Sequence, residues 1–265
     1  MKRREFLILS SSLVANSSSF ALSTDIEARE MEYLIDGARF KGFMALPKAK
    51  GKVPGVMVIH EWWGHNEYAR MRARLLAELG YAAFALDMYG DGKTANEPTA
   101  AQHLMMEAVN SGQIQARFDG AMQILKSEAR VIPNKIGAIG YCFGGNVALS
   151  MARAGEPLNA VVSFHGSLPT PTDLKKDSVK AKILVLHGGE DAFVPSEAIE
   201  AFKKEMTAAN ANYKFIVYPG AKHGFTDPDN SERGELHHLP IAYNKQADLE
   251  SWKEMKALFK KTLQS

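Results

Sequence analysis

The stretch Gly137-Ala-Ile-Gly-Tyr-Cys142-Phe-Gly-Gly145 constrains this chain more than any other, and it holds the only cysteine. Lys135 to Ile139 reads as a short buried strand. From Asn146 onward, Val147, Ala148 and Met151 read as an apolar helix. Between them, Gly140-Tyr-Cys142-Phe-Gly144 has the form of the strained strand-to-helix turn known as a nucleophile elbow, with cysteine where serine is more usual. Glycines two before and two after the central residue suit that turn. It forces the central residue into an unfavourable backbone conformation, and flanking side chains would collide with the neighbouring strand and helix. Taken alone, the match serves equally well for a glycine-rich turn around a small buried cysteine.

The surrounding chain supplies the context for such a turn. Val53–Ile59, Tyr81–Leu86, Ile136–Ile139, Ala160–Phe164, Ile183–Leu186 and Phe215–Tyr218 are short apolar runs, as expected of strands buried on both faces. Helical spacing marks Glu67–Leu79, closed by Gly80, then Ala100–Val109, Ile114–Ala129, Ser196–Ala208 with Ser196 as N-cap, and Leu249–Leu263. Ahead of these, Tyr33–Ile35 and Arg39–Leu46 flank Asp36-Gly37, a hairpin signal and an antiparallel start to the sheet. Strands alternating with helices predict a single α/β domain over residues 24–265. Its central sheet would be mostly parallel and flanked by helices, with the site at the C-terminal ends of the strands. With 265 residues and 46% hydrophobic content the chain can bury one substantial core.

Residues 1–23 read as an export signal. Arg3-Arg4 precede Phe6-Leu7, a weak apolar stretch diluted by serines follows, and small residues gather near Ala21-Leu-Ser23. The pattern resembles the twin-arginine type and implies a periplasmic location. The segment is too short and too polar for a membrane span, so no stable membrane insertion is expected. Its removal takes away three basic residues and Glu5, lowering the formal charge from +2 to about zero. No basic excess then remains to indicate nucleic-acid binding. A lone thiol in an oxidising compartment has no internal disulfide partner, which leans towards a functional role.

A cysteine nucleophile needs a base to generate thiolate and a carboxylate to orient that base, in the chain order nucleophile, acid, histidine. His223 lies in Tyr218-Pro-Gly-Ala-Lys-His-Gly-Phe225, directly after the last strand. Asp191 lies in His187-Gly-Gly-Glu-Asp191, after the preceding strand, with Glu190 as its neighbour. His165 and His187 come too early to have an acid between themselves and Cys142, and His237 and His238 sit in a polar stretch. Asp87 ends a strand but precedes the nucleophile. A backbone oxyanion hole would use the N–H groups of Phe143 and Trp62. Trp62 follows Val53–Ile59 in His60-Glu61-Trp62-Trp63-Gly64. Trp63, with Tyr89, Tyr141 and Phe225, is expected to wall the substrate pocket. Glu61 is the odd member, since an acid beside a thiol disfavours thiolate.

Together, Gly-Tyr-Cys142-Phe-Gly-Gly, the Gly-Glu-Asp191 loop, Ala-Lys-His223-Gly-Phe and the Glu61 loop resemble the dienelactone hydrolase family of α/β-hydrolases over residues 30–262. The resemblance implies the α/β-hydrolase fold and a Cys142–His223–Asp191 triad. It also implies a thioester acyl-enzyme, a small ester or lactone substrate and no cofactor or metal. Glu61 gains a role from it: in the family the corresponding glutamate interacts with the thiol until substrate displaces it. Members acting on dienelactone hold its carboxylate with two arginines. The corresponding positions here are Gly90-Asp91-Gly92-Lys93 and Asp227, and an aspartate would repel that group, which points away from dienelactone itself.

Other classes fit less well. A ligand-binding or sensing protein on a hydrolase scaffold has no need of the complete triad. A thiol redox protein would need a resolving cysteine, and a metallohydrolase more than His60 and His65 around Glu61. The assembly is expected to be a monomer or homodimer.

Overall fold

The computed structural model describes residues 6–13 and 25–265. Two compact units divide the chain, one running to Lys135 and the other Ile136–Ser265.

In the first unit, β1 (Phe6–Leu13) pairs antiparallel with β2 (Ile26–Ile35), and β2 with β3 (Ala38–Pro47). Of the expected signal segment, only β1 belongs to the described residues. The β2–β3 hairpin closes through Asp36 and Gly37, both at positive φ (49° and 83°), the two-residue turn that Asp-Gly favours. β3 then pairs antiparallel with β5 (Ala82–Leu86), which runs parallel to β4 (Val53–Ile59). Every residue of β5, and of β4 after Val53, is buried, in keeping with their unbroken apolar runs. Between β4 and β5, α1 (Glu67–Glu78) is capped by Asn66, whose side chain accepts from the Ala69 N–H. Two further helices, α2 (Pro98–Asn110) and α3 (Ile114–Ser127), complete this unit.

The second unit carries a fully parallel sheet in the order β6 (Val131–Tyr141, its first residues preceding the boundary), β7 (Ala160–Phe164), β8 (Lys182–Gly188) and β9 (Tyr213–Tyr218). The helix α4 (Phe143–Arg153) follows β6 directly and packs on β7. Close approach there depends on small residues. A Cβ on Gly145 would lie 2.7 Å from Gly166 Cα and 2.6 Å from Ser163 Oγ. The C-terminal helix α7 (Lys245–Thr262) begins four residues earlier than its apolar spacing indicated, because Asn244 caps it through the Ala247 N–H. Its Phe259, with Leu263 just beyond, closes over Gly137 of β6.

Two local expectations change. The helix α5 (Ser196–Ala208) has Pro195 at the N-cap, and Ser196 is its first helical residue rather than its cap. The polar stretch holding His237 and His238 forms an eight-residue helix, α6 (Asn230–His237), with His238 in the left-handed region at its end.

Candidate active site

Cys142 sits at the N-cap of α4 with φ 53° and ψ −116°, the strained geometry that the flanking glycines foretold. Its N–H donates to Phe164 O (3.1 Å), fixing the turn to β7. The Gly140 requirement is severe: a Cβ there would lie 1.9 Å from Gly144 O and 2.2 Å from Gly144 C. Phe143 occupies the first position of α4, so its backbone lies at the positive end of the helix dipole.

His223 Nδ1 is 2.8 Å from Asp191 Oδ2, and the imidazole also hydrogen-bonds the Cys142 side chain. Both His223 and Asp191 are buried, whereas Glu190 is exposed, which decides between the two neighbouring acids. The other Asp191 oxygen accepts from the Phe193 N–H (2.9 Å). Burial alone would lower the His223 pKa. The charge of Cys142, the hydrogen bonds to Asp191 and Cys142 and the charge of Asp191 outweigh it, and the imidazole ends well above its usual range.

The loops carrying acid and base are stitched together. Gly189 N–H donates to Tyr218 O (2.8 Å) and Glu190 N–H to Ala221 O (2.9 Å), and a Cβ on Gly188 would meet Ala221 O at 2.5 Å. On its far side the histidine loop is held by α6 and the segment after it. Asn230 Nδ2 donates to Gly224 O (2.8 Å), Ala242 N–H to His223 O and Asn244 N–H to Phe225 O. Neither α6 nor these links were expected from the sequence.

His165 and His187 lie near His223 without entering the line from Asp191 to Cys142. His165, at φ 40°, is fully buried, its Nε2 2.7 Å from Thr226 Oγ1 and its ring edge-on to His223 at 5.3 Å. His187 packs on Phe215, and burial lowers its pKa. Tyr141 and Phe225, expected to line the pocket, are fully enclosed. Tyr141 stacks on Phe164 at 4.8 Å and Phe225 lies against His165 and Tyr218, so they pack behind the site.

Asp227 also departs from expectation. Instead of presenting a charge that repels carboxylates, it is 2% exposed and paired with Arg233 Nη1 at 2.7 Å. Burial raises its pKa, and Arg233 opposes that rise.

In the first unit, the Glu61 loop is braced from several directions. Met88 N–H donates to His60 Nε2 (3.1 Å), so the proton lies on Nδ1, which donates to Glu61 O (2.5 Å). Tyr89 hydroxyl donates to Trp62 O (2.9 Å) and Ala95 N–H to Trp63 O (2.9 Å). Trp62 and Trp63 pack at 4.8 Å; Trp63 and Tyr89 are buried and Trp62 is half-buried. His65 Nε2 lies 3.1 Å from Ala85 O, and burial lowers the pKa of both histidines. Asp87 serves as a corner rather than a catalytic acid, accepting from the N–H groups of Lys41, Tyr89, Gly90 and Gly92. Lys93, in the place of one family arginine, lies 3.9 Å from Glu107. Among the described residues no helix is long and apolar enough to cross a membrane.

A strained residue between strand and helix, followed by an acid and a histidine at later strand ends, defines an α/β-hydrolase. More narrowly, the chain belongs to the dienelactone hydrolase family, whose model matches residues 40–263, and it is an ester or lactone hydrolase. It is 31% identical to protein usf of Aquifex pyrophilus over 74% of this chain and 85% of that one. A candidate carboxymethylenebutenolidase of Escherichia coli (strain K12) is 32% identical over 71% of this chain and 74% of its own length. Among solved structures, a dienelactone hydrolase-like promiscuous phosphotriesterase from metagenomic libraries aligns with a TM-score of 0.85 and 32% identity. That alignment covers 90% of this chain and 99% of the other.

Proposed function

We propose that the chain hydrolyses small carboxylic esters or lactones through a thioester on Cys142. The observation carrying this reading is the hydrogen-bonded line from Asp191 through His223 to a cysteine held at a strained elbow. His223, hydrogen-bonded to the Cys142 side chain, is placed to take the thiol proton, which gives a thiolate–imidazolium pair, the nucleophilic form of the site.

In this mechanism the thiolate attacks the carbonyl carbon, forming the C–S bond. The oxyanion is held by the Phe143 N–H at the start of α4. Collapse breaks the bond to the alcohol oxygen, which takes the proton from His223. Water then adds to the thioester while His223 accepts its proton, and the C–S bond breaks to give the acid and the thiol. Asp191 keeps Nδ1 protonated, leaving Nε2 for both transfers.

The E. coli relative's name points towards lactones, and the compensated charge of Asp227 removes one objection to anionic substrates. Residues 1–23 are proposed to direct export to the periplasm. N-terminal sequencing of protein recovered from that compartment tests this, and an intact Met1 there contradicts it.

The catalytic reading is tested by Cys142→Ala on p-nitrophenyl acetate. Loss of turnover by about 10³-fold or more is expected. Turnover at the wild-type rate rules the nucleophile out.

A further inference from the structure

The ring of His223 has two edge-on neighbours of opposite character. His165 lies 5.3 Å away and is fully enclosed. Phe193 lies 5.0 Å away, its ring inclined 70° to the imidazole, and is 47% exposed. Single exposed apolar side chains are common on protein surfaces; what sets Phe193 apart is that its exposed ring borders the imidazole itself. Nor is Phe193 loosely attached, since its N–H donates to Asp191 Oδ1 at 2.9 Å. The exposed ring is therefore fixed to the acid that orients the base.

The proton path gives that position a meaning. With Nδ1 committed to Asp191, the leaving alcohol oxygen must come within about 3 Å of Nε2 to take its proton. The sulfur holds the acyl carbon, so the alcohol skeleton continues past the imidazole, away from the thiol. Of the two ring neighbours only Phe193 is exposed, so it alone can meet a group that reaches the imidazole from solvent.

We infer that Phe193 is a specificity-determining residue that contacts the alcohol half of the substrate and selects esters of bulky, apolar or aromatic alcohols. The inference rests on the triad reading above. It makes a further distinction: once the thioester has formed the alcohol is gone, so Phe193 discriminates among alcohols and not among acyl groups.

The test uses the full chain and two substrate series. The first comprises ethyl, butyl and 2-phenylethyl acetates, whose alcohols have similar acidity but different size. The second comprises p-nitrophenyl acetate, butyrate and hexanoate. In the wild type, kcat/KM should rise from ethyl to 2-phenylethyl acetate. Phe193→Ala should lower that ratio by about tenfold, the scale of one lost aromatic contact and its buried area. Phe193→Leu should lower it by less, and it decides the matter if the alanine variant does not fold. Ratios across the acyl series should move by less than about twofold. An unchanged alcohol ratio, or an acyl profile that shifts as much, overturns the inference. Cys142→Ala measured on the same esters separates the two failures, because only the triad reading is refuted if that variant keeps its turnover.

Discussion

Substituting Gly140 by alanine probes the elbow without touching any reacting group. The added Cβ would lie 1.9 Å from Gly144 O, 2.2 Å from Gly144 C and 2.7 Å from Gly145 N, where real contacts essentially never fall under 3.0 Å. All three are backbone atoms in the first turn of α4, so no side-chain rotation relieves the clash. The helix start must move by at least about 1 Å, carrying the Phe143 N–H and the sulfur with it. A misplacement of that size typically costs about 10²-fold in rate, and overpacking costs about 1–3 kcal/mol of stability. Gly137→Ala, on the same strand, is the control. Its Cβ would meet Leu263 Cδ1 at 3.0 Å and Phe259 Cζ at 3.2 Å, the ends of side chains that can shift. Steady-state kinetics on p-nitrophenyl acetate and urea denaturation of both variants give the comparison. We expect Gly140→Ala to lose about 10²-fold in kcat/KM, and Gly137→Ala to lose stability with activity within a few-fold of wild type. Wild-type kinetics and stability in Gly140→Ala would refute the strained-elbow geometry.

Asp191→Asn should lower kcat by roughly 10²- to 10⁴-fold by releasing the His223 tautomer. It should also lower the His223 pKa, because Asp191 is one of the groups holding it up, as an NMR titration of the imidazole would show. Because the His223 pKa is raised on folding, its stabilising contribution is full below the ordinary histidine pKa of about 6.5 and is lost as pH climbs through the folded value. Urea unfolding from pH 6 upward should therefore show stability falling more steeply in the wild type than in His223→Gln; parallel curves would contradict the ion pair. Arg233→Ala strands the Asp227 carboxylate and should destabilise by about 2–4 kcal/mol, with Asp227→Asn in the same chain restoring much of it. Equal denaturation midpoints for wild type and single variant would show that Asp227 does not need its partner.

The parts of the fold that could be read from sequence are those where one physical cause dominates. Strands buried on both faces, such as β5, leave unbroken apolar runs, and Asp36-Gly37 leaves the mark of a turn that needs positive φ. The line from Asp191 through His223 to Cys142 was legible for a related reason. Cys142, Asp191 and His223 each follow a separate strand, and the glycines around them are dictated by backbone approach. What escaped leaves no pattern along the chain. Asp227 looked like an exposed obstacle because nothing nearby announces that α6 brings Arg233 back to it. That helix has only two buried residues, Asn230 and Gly234, so it left no apolar stripe to read. Tyr141 and Phe225 were placed in the pocket because they lie close in sequence to Cys142 and His223, yet Tyr141 stacks on Phe164 and Phe225 turns in against His165 and Tyr218. Phe193 was overlooked, although an aromatic two residues past the acid, in a loop, is a visible signal.

The central claim is that Cys142 carries the acyl group. Mixing the purified protein with excess p-nitrophenyl acetate, quenching in acid within the first turnover and measuring intact mass tests it directly. The account predicts one added acetyl group, mapped to the peptide containing Cys142 and absent from Cys142→Ala. An acetyl group on another residue, or full turnover with no acylated protein at any quench time, would contradict it.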